Sequence, residues 1–565
     1  MPLPDAEQSN DQVTASIERA RPVVLVGFQR QGNLGLGYLA STLRQHGHEV
    51  TTCDFELQDE EILSLVRQLD PIVIGFSVIF QLYVQRFASL IDFLRHRGVT
   101  CHFTIGGHFP SLSAGEALQL LAGVDSVVRF EGELTLLELV QAISTGADWR
   151  SIHGIAYRDG SGIFTTPVRA LIQDLDQLPF PERSFEPEGA LGFKAFPLLA
   201  SRGCSRTCAF CSIQTFYRSV PGKLVRVRAP VKVVEEMRSL YEDRTASIFL
   251  FQDDDFPLHG SVWRRWALEF VRELERSGLS RRAIWKISCR ADDVDPELFS
   301  VLHAAGLYLV YLGLESGNQA GLQLLHKQTT VEQNLRAVAT LKQLGLMFTY
   351  GFMLFDPSST LATVRTNLEF LRQTVGDGSG AAVFCKMIPY DGTPIKKLLE
   401  QSGRLRGDVC HPDYEFQDPM VTTLHSELSI LLEGCSWIHG DSPLASQVDW
   451  ARHEVAVMER LLPPLPGMDS YKATIQRVTK DVNETLFAVV QDISNAVQQQ
   501  RPTSWTVDSL NEVRSRILDE MLRERNKFIL QHQASILDGL HAPRSLVDAA
   551  EVPGHDHFSL SSSPS

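Results

Sequence analysis

Residues 201–211 read SRGCSRTCAFC, and this stretch decides how the rest of the chain is interpreted. It places Cys204, Cys208 and Cys211 at CxxxCxxC spacing. A cubic iron–sulfur cluster has four irons and prefers thiolate ligands. Three thiolates leave one iron of the cube without a protein ligand, and that iron can hold a substrate. The spacing therefore predicts a 4Fe-4S cluster with one open coordination position.

The spacing alone leaves two other metal states open, namely a zinc site and no metal. A structural zinc ion normally takes four nitrogen or sulfur ligands, and no second CxxC or HxxxH motif accompanies the three cysteines. A disulfide framework is disfavoured because nine cysteines in 565 residues is ordinary for an intracellular protein and the number is odd. The six other cysteines stand singly, at positions 53, 101, 289, 385, 410 and 435.

The composition is that of a globular protein, with 44% hydrophobic and 21% charged residues. A chain of 565 residues predicts about two to four domains. The net charge of −15 argues against a nucleic-acid partner, because such binding depends on Lys and Arg that neutralise phosphates. No apolar run is long enough to span a bilayer, and the acidic start of the chain is not typical of a secretory signal. We therefore expect a cytoplasmic protein without a nucleic-acid or membrane partner.

The amino-terminal third alternates short apolar runs with helical patterns between residues 23 and 140. Such alternation predicts a parallel, doubly wound sheet, which binds ligands at the carboxyl ends of its strands. Glycine-rich segments at 27–37 and 106–107 fall at those ends, where glycine allows the backbone to approach a flat ligand closely.

The central third, from about 190 to 400, repeats a strand and helix pattern six times, which predicts a partial parallel barrel. The predicted strands are 195–200, 247–251, 284–290, 309–317, 348–355 and 381–389. Chemistry in such barrels is carried by the loops after the strands, and the cysteines follow the first strand. Charged residues also follow strands: three acids at 253–255, Arg290, and Glu315, which needs a partner if it is buried.

Beyond residue 400 the pattern becomes helical. Apolar residues recur at three- and four-residue steps from Ile475 to Val497, and a second helix is predicted over 507–530. A stripe of this kind favours the core of a helical domain.

Several motifs together resemble one enzyme family. CxxxCxxC with Phe210 before the last cysteine resembles the radical S-adenosylmethionine (SAM) superfamily, and so do GLESG at 313–317 and PYDGTP at 389–394. GGHFPS at 106–111 and FEGE at 130–133 resemble the cobalamin-binding domain of cobalamin-dependent radical SAM enzymes, although Phe130 stands where glycine is usual. Residues 1–150 lack the D-x-H-x-x-G motif, which implies that no histidine ligates the lower face of cobalt.

The resemblance, together with the patterns, implies an α/β protein of six parts. They are a flexible segment 1–20, a doubly wound Rossmann-like cobalamin-binding domain 21–150, a linker with a small hairpin 151–190, a partial (β/α)6 TIM-like radical SAM barrel 191–400, a mainly helical domain 401–541 and a disordered tail 542–565.

The resemblance implies three cofactors: the 4Fe-4S cluster, SAM and cobalamin. The residues implied for SAM are Phe210, Asp253, Asp254, Asp255, Ser288, Arg290 and Glu315. The residues implied for cobalamin are Gly32, Leu34, Gly35, Ser77, Val78, Phe80, Gly106, Gly107, His108, Glu131 and Gly132.

The family's activity implies a methyltransferase that acts on an unactivated carbon of a small-molecule biosynthetic intermediate. It would use methylcobalamin, a 5′-deoxyadenosyl radical and an external electron donor such as flavodoxin or ferredoxin. Three alternatives stay open: a rearrangement or cyclisation without methyl transfer, a non-radical C-methylation, and a corrinoid or redox sensor.

Overall fold

The computed structural model describes residues 21–160, 162–185, 189–439 and 442–542. The predicted flexible segment 1–20 and the predicted tail, apart from Ala542, lie outside the described residues. The fold is the predicted α/β architecture, with one sheet in each of the first two thirds and a helical third part. No helix of the described ranges is long and apolar enough to cross a membrane.

The first sheet has the strand order β2-β1-β3-β4-β5-β6-β7, and its first five strands are parallel. Every residue of β1 is buried, as expected for an apolar strand with helices on both faces. Helix α1 begins at Leu34, because the Asn33 side chain accepts the Leu36 N–H and caps the helix. The elements are β1 Val23–Gly27, α1 Leu34–Gln45, β2 Val50–Asp54, α2 Asp59–Leu69, β3 Val73–Ser77, α3 Val84–His96, β4 His102–Gly106, α4 His108–Leu112, α5 Ala114–Leu120, β5 Ser126–Val128, α6 Glu133–Thr145, β6 Ile155–Asp159 and β7 Gly162–Thr165.

The predicted hairpin of the linker is β6–β7, and it extends the first sheet. Strand β6 pairs antiparallel with β5, and Val128 lies opposite Ile155. The hairpin therefore packs with the amino-terminal domain, although the predicted boundary at residue 150 separates them.

The second sheet is the half-barrel, with six parallel strands in the order β15-β14-β13-β12-β11-β8. Because all six strands run parallel, they end at one edge of the sheet. Two short antiparallel pairs, β9–β10 and β16–β17, lie outside this sheet. The elements are β8 Lys194–Leu198, β9 Ser201–Arg202, α7 Ser212–Arg218, β10 Arg226–Val227, α8 Pro230–Arg244, β11 Ala246–Phe251, α9 Gly260–Arg276, β12 Ile284–Arg290, α10 Pro296–Ala304, β13 Leu307–Glu315, α11 Gln319–Leu324, α12 Val331–Gln343, β14 Met347–Phe355, α13 Leu361–Val375, β15 Cys385–Lys386, α14 Pro394–Gln401, β16 Leu405–Gly407 and β17 Pro412–Tyr414.

The predicted sixth strand, 381–389, is wrong in length, because β15 contains only two residues. Side chains form hydrogen bonds with the backbone N–H and C=O groups of residues 380–382, which precede this short strand. Buried Asn483 accepts the Ala382 N–H at 2.7 Å and donates to the Gly380 carbonyl at 2.8 Å, and the Tyr350 hydroxyl donates to the Ala381 carbonyl at 3.1 Å. These bonds replace the ladder that a strand would make.

The carboxy-terminal part is helical, as predicted, and its long helix contains the predicted apolar stripe. Along α17, residues Ile475, Val482 and Leu486 are buried, and α17 packs on α13 of the half-barrel. The helices are α15 Pro419–Gly434, α16 Leu444–Leu461, α17 Met468–Gln499, α18 Val507–Gln531 and α19 Gln533–Leu540.

Candidate functional site

The three cysteines lie in one loop at the carboxyl edge of the half-barrel, between β9 and α7. The Ala209 N–H donates to the Leu325 carbonyl at 2.8 Å, and the Ile395 N–H donates to the Ala209 carbonyl at 3.1 Å. These bonds fix the loop to the end of α11 and to the first turn of α14. Gly203 has φ +89°, and a Cβ there would lie 1.8 Å from the Leu224 carbonyl oxygen, so only glycine fits before the first cysteine.

The thiols lie in a partly buried, acidic environment. Burial, together with Asp255, raises the pKa of Cys204 to about 12, and burial raises that of Cys211 to about 11. Protonated thiols are poor ligands, and a bound metal cation reverses this preference by stabilising the thiolates. The loop is thus suited to a cation-bearing group and not to free reactive thiolates.

The zinc and disulfide alternatives find no support in the geometry. All nine cysteines, which all belong to the described ranges, are free. Within those ranges, no three His, Cys, Asp or Glu side chains lie close enough together to bind a single metal ion. A cubic cluster differs from a single ion because each thiolate binds a different iron, so the cysteines need not converge on one point.

The three consecutive acids after β11 contact three different parts of the neighbouring loop. Asp253 accepts the Ser201 hydroxyl at 2.5 Å and the Ala200 N–H at 3.2 Å. Asp254 accepts the Gly203 N–H at 2.9 Å. Asp255 lies 3.9 Å from the Cys204 sulfur.

Burial raises the pKa of Asp253 to about 7 and that of Asp255 to about 7, and burial also raises that of Asp254. Asp255 Oδ1 is buried and receives no hydrogen bond from any described residue. An unsatisfied acceptor beside the cysteine loop is costly unless a ligand supplies the donor, and an ammonium group has the right chemistry.

Two cations of the same edge also approach the cysteine loop. Arg290 lies 3.6 Å from the Cys208 sulfur and donates to Asp292 at 2.8 Å. Lys327 pairs with buried Glu315 at 2.9 Å, which supplies the partner that the sequence required for this acid. Glu315 has φ +64°, an unusual backbone for a non-glycine residue and one that is found most often at functional positions.

The two remaining residues predicted for SAM lie on either side of these cations. Ser288 is on β12, two residues before Arg290, and accepts a hydrogen bond from Lys286 at 2.7 Å. Phe210 packs partly buried against the core of the half-barrel. The structure thus brings all the residues predicted for the cluster and for SAM to one end of the half-barrel.

A cleft of about 280 Å³ opens between the amino-terminal sheet and the half-barrel. Its floor is formed by the carboxyl ends of β3 and β4 and by the start of α6, where glycines leave room. Gly107 has φ +114°, and a Cβ there would lie 2.5 Å from the Val78 carbonyl oxygen. Seven of the residues predicted for cobalamin line this cleft: Gly35, Ser77, Gly106, Gly107, His108, Glu131 and Gly132.

The other four predicted residues lie beside the cleft. Leu34 and Val78 are buried in the domain core. Gly32 contacts Pro197 of the half-barrel. Phe80 is 46% exposed and lines a second cavity, which the start of α7, directly after Cys211, also lines.

Glu131 lines the cleft and is also part of a buried ion network that the sequence did not reveal. Arg226 donates to Glu131 at 2.7 Å, and Arg202 donates to Glu133 at 2.7 Å. Both acids belong to the amino-terminal domain and both arginines to the segment around the cysteine loop. The network therefore joins the two domains beside the cleft.

Other lining residues were also missed. Phe130 has φ +66°, a backbone that glycine adopts at lower cost, and its ring packs 5.1 Å from that of Phe216. Its place in the FEGE motif was the only signal. The residues that line the cleft without having been predicted include Asn33, Tyr38, Thr104, Phe130, Glu133, Arg202, Phe216 and Tyr217.

The cleft and the cysteine loop share a wall. Arg202 and Asp254 line the cleft, and Gly203, which lies between Arg202 and Cys204 in the chain, is bound to Asp254. The residues present fit the groups that the sequence implied: three thiols in one loop, an unsatisfied acid beside them, and a glycine-lined cleft on the other side of the wall.

Comparison with protein families gives two matches. Residues 20–140 match the family model described as B12 binding domain, and residues 198–371 match that of the Radical SAM superfamily. The first covers strands β1 to β5 and the side of the cleft that they form, and the second covers the cysteine loop and most of the half-barrel.

Similar proteins cover much of the chain. An uncharacterized methyltransferase of Pyrococcus horikoshii is 27% identical over 64% of this chain and 77% of its own length. The anaerobic magnesium-protoporphyrin IX monomethyl ester cyclase of Rubrivivax gelatinosus is 28% identical over 68% of this chain and 69% of its own. The structure of the cobalamin-dependent SAM radical enzyme OxsB superposes with a TM-score of 0.64 at 16% identity, covering 92% of this chain and 83% of that one, and thereby supports the fold.

Proposed function

Because the chain belongs to the cobalamin-dependent radical SAM enzymes, we propose that it transfers a methyl group to an unactivated carbon of a small molecule. The relative from Pyrococcus horikoshii is named a methyltransferase, which favours this outcome among the reactions that the cofactor pair can support. The bound cofactors supply the methyl group and the carbon radical that activates the substrate.

The shared wall is the observation that carries the proposal. Asp254 faces the cleft and holds Gly203, and Cys204 follows directly on the other side. Two cofactors held on either side of this wall would have a fixed separation. Fixing the relative position of two reacting groups can remove a large part of the barrier to such a reaction.

We assign the cluster to Cys204, Cys208 and Cys211. Asp255, with its unsatisfied oxygen, would accept hydrogen bonds from the amino group of SAM. Arg290 would orient the carboxylate. The remaining residues assigned to SAM are Phe210, Asp253, Asp254, Ser288 and Glu315.

We assign cobalamin to the glycine-lined cleft and to the eleven residues predicted for it. His108 lines the cleft, and burial lowers its pKa to about 4. It would therefore offer a neutral ring to the ligand. Its ring packs 4.6 Å from that of Phe216, in keeping with a stacking or packing role.

The test is anaerobic reconstitution with iron, sulfide and hydroxocobalamin, followed by measurement of 5′-deoxyadenosine and S-adenosylhomocysteine with candidate substrates. Radical methyl transfer predicts both compounds together with a product heavier by one CH2. The variant C204A should hold less iron and form no deoxyadenosine. Its matched control is C101A, a half-buried cysteine outside the site, which should keep both. Deoxyadenosine formation by C204A would exclude the assigned cluster.

A cyclisation or rearrangement is the second candidate, because a relative of similar identity is named a cyclase. It predicts deoxyadenosine without S-adenosylhomocysteine. A non-radical methylation predicts the reverse. The same experiment therefore separates the three reactions.

The proposed partners are a small-molecule substrate and an external one-electron donor such as flavodoxin or ferredoxin, in a cytoplasmic setting. The donor is tested by replacing dithionite with a flavodoxin and its reductase. No deoxyadenosine under those conditions would exclude flavodoxin as the donor.

A further inference from the structure

The concave face of the half-barrel contains a polar group, Lys286 and Tyr311, that the proposed cofactor sites do not use. On β12, Lys286, Ser288 and Arg290 alternate with buried residues and lie on one face of the sheet. Since Arg290 reaches the Cys208 sulfur, this face opens toward the cysteine loop. Lys286 lies about 13 Å deeper along the strand, at roughly 3.3 Å per residue.

Lys286 has no acidic partner. No carboxylate of a described residue lies within 4.0 Å of its ammonium nitrogen, which donates to the Ser288 hydroxyl at 2.7 Å and to the Phe251 carbonyl at 3.4 Å. Burial lowers its pKa, and Asp253 opposes this shift from a greater distance. A partly buried cation that has only neutral acceptors is costly, and an anionic ligand would offset that cost.

Tyr311 completes the group. It is 41% exposed, whereas the other eight residues of β13 are buried. Its ring lies 5.7 Å from the Lys286 nitrogen, and its backbone is paired with Ser288. The phenol oxygen lies over Gly351, where a Cβ would approach it to 2.6 Å. A large aromatic side chain in mid-strand is left uncovered only because the concave face is open.

We propose that Lys286 and Tyr311 bind an anionic group of the substrate, either a carboxylate or a phosphate. An ammonium and a phenol together offer donors that such an anion requires. The proposal rests on the proposed function and narrows its substrate to a small acid held by its anionic end. Because the Lys286 nitrogen is bonded to the Ser288 hydroxyl, at a level about 7 Å below the strand end, the reacting carbon would lie at the opposite end of the substrate, toward the cysteine loop.

The test measures the rate at which N-hydroxysuccinimidyl acetate acetylates Lys286 in the SAM-loaded holoenzyme. Peptide mass spectrometry quantifies the acetylated Lys286 at each time point. Inorganic phosphate and acetate are the probes, and potassium chloride at equal ionic strength is the reference. A probe at ten times its dissociation constant should slow the modification of Lys286 about tenfold. Lys342, which pairs with Asp377 near the surface, is the internal control and should keep its rate. The variant Y311F should lose part of the protection.

Equal rates in the probes and in chloride would overturn the proposal. It also fails if SAM itself protects Lys286 while decarboxylated SAM does not, because the anion would then be the cofactor's carboxylate. If Lys286 resists the reagent, a selenate soak of holoenzyme crystals decides: a selenate oxygen within hydrogen-bonding distance of the Lys286 nitrogen is expected, and its absence refutes the site. These readouts need no turnover, so they can fail while methyl transfer is observed, or succeed while it is not.

Discussion

Replacing Gly203 by alanine should abolish cluster assembly with a modest effect on folding. The left-handed backbone at φ +89° costs an alanine about 1–2 kcal/mol. The added Cβ would also lie 1.8 Å from the Leu224 oxygen, well inside the 3.0 Å that real Cβ atoms respect, so the loop must move by about 1.2 Å. Metal–ligand distances in well-formed sites stay within about 0.2 Å of their usual values. The movement therefore displaces Cys204 far enough to lose its iron.

Gly345→Ala is the matched control, because Gly345 has φ +69° but no atom within 4 Å of an added Cβ. It incurs the backbone strain alone. At about 2–4 °C per kcal/mol for a domain of this size, its apparent Tm should fall by a few degrees with its iron content unchanged. Iron per chain after anaerobic reconstitution and thermal unfolding are measured for both variants. Full iron in G203A, with a Tm like that of G345A, would refute the steric reasoning.

Three further outcomes follow from the described contacts. Gly107→Ala should lose hydroxocobalamin binding, measured by absorbance after desalting. Gly98→Ala should keep it, because Gly98 also has a positive φ but open space around an added Cβ. Equal amounts of bound hydroxocobalamin in the two variants would contradict the role of the cleft. Arg202→Met should destabilise the domain junction by about 3–5 kcal/mol, because it leaves buried Glu133 without its partner, and surface Arg477→Met should change the Tm little; similar Tm losses would argue against the network. Burial lowers the pKa of His453 from 6.5 to about 4 in the folded protein. As the pH falls below 6.5, the unfolded chain therefore binds a proton at this histidine before the folded protein does, and the free energy of unfolding decreases until the pH reaches about 4. His453→Gln should have a smaller Tm difference between pH 7 and pH 5 than the unaltered protein, and an equal difference would exclude this group as a source of the acid sensitivity.

Sequence patterns predicted most of the fold because they follow local rules. The apolar run of β1, the alternation on β12 and the stripe along α17 each determine an element by themselves. The cysteine spacing likewise reveals its chemistry, since the three ligands are close in sequence. The predicted site residues at strand ends came together because parallel strands end at one edge.

What the sequence did not reveal depends on contacts between distant segments. Asn483 is one polar residue within an apolar stripe, and only the fold shows that it takes the hydrogen bonds of residues 380–382 and shortens the sixth strand. Arg202 stands in the quoted cysteine stretch, yet its partner Glu133 lies 69 residues earlier. Tyr311 is one more aromatic in an apolar strand, and only the open face of the half-barrel distinguishes it.

The run of three acids after β11 has an evolutionary consequence. Each carboxylate holds a different point of the first loop: the strand end, Gly203 and the neighbourhood of Cys204. Insertion or deletion of a single residue there would shift every one of these attachments at once. Lineages that adapt to new substrates should therefore keep the length of this turn constant and vary elsewhere, for instance in the helical third of the chain.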